Sequence, residues 1–285
     1  MVDSKFQVPN NRYHINVDHV VKFIRRSNYY FKIWVLMSKN AFIMIASQKM
    51  VLVIFLLGKV LRFSFFVSFL YFLVQGAGNL AGYTTNQTIF FFLTFMVIDT
   101  TSQFLFREVY KFRQLIVSGD FDLVLLKPAN SLFRVLMGGI DIIDFITLPP
   151  LYLATIYIGN LLNPSLMQFV LYFLLILSGL LISTAFHIAV LAIGIISLEV
   201  DHTIMIYRDI SAMGRFPIDI YQKPLKTVLT YFLPIGIMVS LPSKAIFGLV
   251  SIDGLILSFS FSFVFMFIAL KFWKFALTKY TSASS

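Results

Sequence analysis

Few side chains in this 285-residue sequence could do acid, base or metal chemistry. It contains no cysteine, which removes disulfides, thiolate ligands and a cysteine nucleophile together. The four histidines, His14, His19, His187 and His202, form no HExxH or other paired-ligand spacing, so no metal site is expected. Asp99, Asp141, Asp144 and Asp209 lie in or beside apolar runs. Asp141 and Asp144 are three apart on one helical face, which invites a paired-carboxylate or cation site. Nothing nearby completes one, and the scattered acids supply no motif for an integral-membrane enzyme. The plainer expectation puts both in the first turns of a span, where negative charge suits a helix N-terminus and Arg134 is the cation at hand. Asp99 falls mid-span, where a carboxylate costs about 2.5–3.5 kcal/mol on insertion scales. It must face a partner or water, either as an interhelical contact beside Thr100 and Thr101 or as a lining of a transport path. No GxxxxGK[ST] loop is present, so the chain cannot hold nucleotide in the P-loop manner.

The elements that must position these residues are membrane helices. The sequence is 59% hydrophobic and 13% charged, with mean hydropathy +0.86, against roughly 25% charged in soluble domains. The net charge of +10 would suit nucleic acid, but its placement argues otherwise. Eight of 23 Lys and Arg residues lie in 1–50, five in 107–134 and three in 271–285, with none in the candidate outer loops 76–87 and 160–165. That asymmetry puts both termini and the central loop in the cytosol and lets the basic residues grip anionic lipid.

In chain order, residues 1–16 lack the apolar core and cleavage site of a signal peptide and are expected to be a flexible N-terminus. Residues 17–49 read as an amphipathic interfacial helix, with Asp18, Lys22, Arg25, Lys32 and Lys39 opposite Val20, Phe23, Ile24, Tyr30, Phe31, Trp34 and Val35. Residues 50–285 read as a six-span domain, with spans at about 50–74, 88–106, 137–158, 166–198, 203–216 and 252–272. Lys59 and Arg62 interrupt the first span on one face; either they snorkel to the inner interface, the preferred reading, or they face a protein interior. Asn86-Gln-Thr88 matches a glycosylation sequon only weakly. The pair Pro149-Pro150 implies a kink in span three. His187, without an acidic neighbour at helical spacing, reads as a packing residue. Arg208, Asp209 and Arg215 make span five a poor lipid-facing helix, and only Asp201 shares the face of Arg208.

The long polar stretch is Arg107–Val135. A helix over Arg107–Ser118 would carry Arg107, Lys111, Gln114 and Ser118 on one face and Val109, Phe112 and Ile116 on another. Gly119 suits a helix stop, Asp120 and Asp122 keep the turn wet, and Pro128 forbids simple helical continuation across Val124–Leu126, leaving an extended apolar strip. Asn130 or Ser131 is placed to cap a restart.

The string Ile116-Val-Ser-Gly-Asp-Phe-Asp-Leu-Val-Leu-Leu-Lys-Pro128 resembles the first cytosolic loop of the type-2 ATP-binding-cassette exporter permeases. The run from Phe216-Pro217 through Lys223-Pro224 and Pro234 to Leu241-Pro242-Ser-Lys244 is similar to that family's re-entrant outer hairpin, here 217–248. The resemblance covers about residue 20 to the C-terminus. It implies an all-α membrane fold of six spans with an N-terminal interfacial helix, a cytosolic coupling helix within 107–135 and the outer hairpin. Hydropathy alone also allows 225–250 as span five, with 199–224 as a cytosolic loop.

What the resemblance further implies is the membrane subunit of an ATP-driven exporter in a bacterial cytoplasmic membrane, with no enzyme activity of its own. ATP and Mg would belong to two partner ATPase subunits, and a second permease, identical or homologous, would complete the path. Arg107, Lys111, Arg113, Gln114, Gly119, Asp120, Asp122, Leu126 and Pro128 would shape the ATPase contact. Asp99, Arg208 and Asp209 would line the path or make intramembrane contacts. The alternative is an ion-coupled secondary transporter using Asp99 or Asp209, although no internal repeat supports it.

Overall fold

The computed structural model describes residues 17–282, with side chains from residue 24 onward, and its regular elements are helical. The expected tail 1–16 lies outside the described residues, as do the side chains of Asp18, Val20, Lys22 and Phe23.

Helix α1 spans Val17–Ala46 and α2 Lys49–Ala77. A turn closed by the Leu80–Tyr83 bridge leads into α3, Thr85–Phe106. Thr84 starts α3 with a capping box: its hydroxyl accepts from the Gln87 amide while the Gln87 side chain accepts from the Thr84 N–H. The Asn86 sequon thus falls in a helical first turn. A 3-10 segment, Arg107–Lys111, joins α3 to α4, Phe112–Val117; α5 is Asp120–Leu126 and α6 Ser131–Leu136. Helix α7 covers Ile142–Asn160 with Pro149 and Pro150 inside, and α8 runs Leu166–Ser197 behind a Ser165–Gln168 capping box. Helix α9 is Val200–Ser211. After 3-10 turns at Ala212–Arg215 and Ile218–Ile220, α10 (Leu225–Thr227) passes into a π-helical Val228–Phe232. A second π-helical stretch, Gly236–Ser240, feeds α11, Leu241–Ile246, and α12 is Ile252–Thr278.

Among the described residues five helices are long and apolar enough to cross a membrane: Lys49–Ala77, Thr85–Val117, Ile142–Asn160, Leu166–Ser197 and Ile252–Thr278. Leu225–Phe232 with Gly236–Ile246 would make a sixth as a pair, but the two arms meet at 79°. The expected crossing at 203–216 is not among them. Helix α9 has 12 residues, about 18 Å at 1.5 Å each, against a hydrocarbon layer of about 30 Å. It is amphipathic, burying Val200, Ile204 and Ser211 and exposing Arg208 and Asp209.

Two apolar clusters hold the bundle. One joins α2, α3, α7, α8 and the Gly236–Ser240 arm through Leu70, Phe92, Leu93, Ile98, Leu148, Ile182 and Val239. Gly179 of α8 is required there, because a Cβ would lie 2.7 Å from the Met238 carbonyl oxygen of that arm. The other joins the ends of α3, α8, α9 and α12 to the central segment. Buried hydroxyls cross-link helices within the apolar mass: Ser183 Oγ donates to Ser102 Oγ at 2.7 Å and lies 3.0 Å from Tyr207, and Ser178 meets Ser258 at 2.8 Å. His187 is buried between Phe106 and Tyr207, with Nδ1 2.8 Å from the Ser183 carbonyl, as expected of a packing residue.

Candidate functional site

The central segment is a shelf across the ends of α3, α8, α9 and α12. The apolar face expected of Val109, Phe112 and Ile116 is buried, and Phe121 and Val124 join it. Phe112 and Phe121 meet edge to face at 5.1 Å, Phe121 packs on Tyr280 at 5.1 Å, and both phenylalanines reach Trp273 of α12. Two expectations change. Arg107–Ser118 is not one α-helix but a 3-10 turn followed by α4. Val124–Leu126 is not extended: it ends helix α5. Pro128 does not prevent this, because Lys127 takes the extended conformation that a residue before proline prefers. Gly119 makes the break, at φ 79° in the left-handed region where a side chain is disfavoured. Asp120 and Asp122 then occupy the first turn of α5, where carboxylates suit the helix dipole. Asn130, rather than Ser131, caps α6, accepting from the Phe133 amide at 3.0 Å. Tyr30 of α1 accepts from the Asn130 amide at 3.1 Å and packs on Phe133, tying α1 to the shelf.

The outward side of the shelf combines apolar and charged groups. Leu126 is 82% exposed, Val117 60% and Leu123 56%, beside exposed Lys111, Arg113, Gln114, Asp120, Lys127 and Pro128. A cleft of about 450 Å³ between Tyr110, Lys111, Gln114, Val117 and Asp201 separates α4 from α9. Across it Arg113 reaches Asp201 at 3.6 Å, so Asp201 serves Arg113 and not Arg208. Two of the nine expected contact residues point elsewhere. Asp122 accepts from Ser282 of the C-terminal segment, and Arg107 pairs with Asp141 at 3.1 Å.

Arg107 belongs to a second feature, a cavity of about 900 Å³ between α2, α3, α7 and α9. It gathers Asp99, Arg208 and Asp209, the three expected path residues, with Lys59, Arg62, Arg107, Asp141, Asp144 and Arg215. Lys59 does not snorkel: its ammonium pairs with the buried Asp144 of α7. Asp141 caps α7, accepting from the Ile143 and Asp144 amides, and its ion pair is with Arg107, not Arg134. Asp99 accepts from Gln103 of its own helix at 2.7 Å. These pairings were illegible because Lys59 and Asp144 stand 85 residues apart. The one available signal was opposite charge placed at similar depth in separate spans.

At the other end of the bundle the prolines between 217 and 242 act as breaks. Phe216 is extended, Pro217 precedes a 3-10 turn, the Lys223–Pro224 bond is cis, Pro234 sits at the 79° bend and Pro242 opens α11. One unforeseen residue ties the segment together. Asp219 accepts from Tyr83 Oη at 2.8 Å, Lys226 Nζ at 2.7 Å and Lys244 Nζ at 2.7 Å, linking the α2–α3 turn to both arms. Burial pushes its carboxyl up, but the hydrogen bonds from Lys226, Lys244 and Tyr83 outweigh that and hold it at about 2. Among the described residues no group of His, Asp or Glu is arranged to hold a metal ion.

No curated protein and no solved structure matches the chain. The family described as ABC-2 family transporter protein matches over residues 59–284, which takes in the shelf, the cavity and the bent pair. The chain is therefore a multi-pass membrane protein and belongs to the ABC-2 family of transporter permeases.

Proposed function

We propose that the protein is the transmembrane subunit of an ATP-driven exporter, contributing half of the translocation path and coupling to a separate ATPase through 107–130. The observation that carries this reading is the shelf: a rigidly backed surface whose outward side exposes Val117, Leu123 and Leu126 among charges. Apolar groups so exposed on a charged, water-facing rim mark a protein contact. Membership of the family implies an ATP-binding cassette component, and the sequence has no P-loop with which to supply one.

Lys111, Arg113, Gln114, Gly119, Asp120, Leu126 and Pro128 form or shape the contact in this reading. Asp122 and Arg107 brace it from behind, through Ser282 and Asp141. The shelf shares one apolar cluster with α3, α8, α9 and α12, so a push on it reaches the helices around the cavity. The basic termini and loop face the cytosol, and the bent pair 225–246 is a re-entrant hairpin at the outer side, its broken backbone covered by protein. Two ATPase subunits and a second permease, copy or relative, complete the assembly. The ion-coupled alternative is not favoured by this family.

The test is co-purification from native membranes. Wild type should bring a nucleotide-hydrolysing protein with it, and Val117→Glu with Leu126→Glu should lose that protein while remaining inserted. Both side chains are exposed, so the fold has no need of them. Retention of the ATPase by the double variant would refute the shelf as its seat.

A further inference from the structure

The cavity between α2, α3, α7 and α9 holds five cations and four carboxylates, and they do not pair off. Lys59 is taken by Asp144 and Arg107 by Asp141. Among the described residues Arg62, Arg208 and Arg215 lie in no ion pair, though Asp99 and Asp209 share the cavity. Asp99 is engaged by Gln103. Arg208 stands over the Tyr110 ring at 5.9 Å, and Arg215 over Phe66 and Phe95 at 5.7 and 5.6 Å. Stacking orients a guanidinium without consuming its N–H fork, which is left for a planar or tetrahedral anion. Arg62 and Arg208 are exposed to the cavity. A guanidinium set against an apolar wall without an ion-pair partner is costly, and an anion brought into the site offsets that cost. The remaining wall is apolar and aromatic, with Ile54, Phe55, Phe63, Phe92, Met96 and Met205 beside the arginines. A volume of about 900 Å³ is of the size that takes a whole small ligand rather than a single ion.

We propose that this cavity binds an amphiphile with an anionic head, the phosphate or carboxylate held by Arg62, Arg208 and Arg215 and the apolar chain laid against the phenylalanine and methionine wall. The proposal rests on the reading of the cavity as part of the translocation path and names the chemical class of what enters it. Charge is the selective element, and the wall accepts chains of differing shape.

The test measures binding alone, without ATP or the ATPase, so its result is independent of whether the shelf docks a motor. Full-length protein in detergent is mixed with equimolar phosphatidylglycerol and phosphatidylcholine, and retained lipid is read by native mass spectrometry. Wild type should keep phosphatidylglycerol over phosphatidylcholine by about tenfold, and Arg62→Gln with Arg208→Gln should abolish that preference. Arg62→Lys with Arg208→Lys, which keeps the charge, should restore part of it. Lys274→Gln with Lys279→Gln, at the exposed end of α12, should leave it unchanged. An unaltered preference in the Arg62 and Arg208 double Gln variant, or an equal loss in the α12 variant, would overturn the proposal in favour of lipid held at the protein's rim. Inorganic phosphate at the same concentration should displace little of the lipid. Full displacement would show that the site recognises a free anion and would overturn the amphiphile.

Discussion

The central shelf and the bent pair at the far end both interrupt regular membrane helix, and they are finished in opposite ways. The shelf buries its aromatic core against Trp273 and Tyr280 and leaves Val117, Leu123 and Leu126 in the open. The bent pair turns its polar groups on itself: Asp219 gathers Tyr83, Lys226 and Lys244, and Ile218, Leu229 and Ile235 are buried together. One end leaves apolar surface uncovered, and the other satisfies its own polar groups. In the proposed function the exposed, rigidly backed apolar surface receives force and the self-satisfied bent pair resists it.

The largest effect on function, as distinct from stability, should come from breaking the first half of that contrast. Val117→Glu with Leu126→Glu should cut transport-coupled ATP hydrolysis by at least tenfold, roughly the loss of 1.4 kcal/mol or more of docking energy, with membrane insertion unchanged. Next, Phe121→Ala should remove the backing. A fully buried phenylalanine at the centre of the aromatic cluster costs about 3–5 kcal/mol when truncated, to be read as a lower thermal midpoint and earlier proteolysis within 107–130. A smaller effect is expected in the cavity. Asp144→Asn leaves Lys59 facing the cavity without its partner and should destabilise by about 2 kcal/mol, between the values for exposed and buried pairs. Lys59→Met with Asp144→Leu should recover most of that loss. If the single and double variants are equally unstable, the ion pair is not the reason.

The smallest effect belongs to the bent pair and sharpens the other half of the comparison. Asp219 titrates at about 2 when folded against an ordinary 3.8. Its depressed value adds stability that is present above pH 3.8 and is lost as pH falls through about 2. Asp219→Asn should therefore lower the thermal midpoint modestly at pH 7 and flatten its decline below pH 4, with ATPase co-purification untouched. Loss of the ATPase in Asp219→Asn would erase the distinction between the two ends.

Much of this arrangement was legible in the sequence where one local rule decides. Val109, Phe112 and Ile116 were assigned inward by helical spacing, Gly119 marked the break, and Pro217, Pro224, Pro234 and Pro242 marked a chain unable to form one clean helix. The misreadings occurred where two local rules competed. Pro128 argues against helix over Val124–Leu126, but a single extended residue, Lys127, absorbs the restriction while Asp120 and Asp122 favour a helix start. For Lys59, snorkelling and an inward partner fit the sequence equally, and only the approach of α7 to α2 decides for Asp144. Arg208 and Asp209 argue against a lipid-facing helix at 203–216, and the crossing expected there is replaced by the 12-residue α9, which gives way to a 3-10 turn after Ser211. The Asp219 clamp left no trace at all. Its three donors come from the α2–α3 turn and from both arms of the bend, and proximity of that kind exists only once the chain has folded.

The sequence contains no cysteine, which makes one measurement unusually direct. Leu126→Cys introduces a single thiol at the most exposed large apolar residue of the shelf, and a thiol cross-linker can then be applied to the assembled complex in native membrane vesicles. The account predicts an adduct between this chain and a nucleotide-hydrolysing protein, formed in vesicles whose cytosolic face is outward. Reaction instead with a membrane-impermeant maleimide added to the outside of intact cells would put the shelf on the wrong side of the membrane and contradict it.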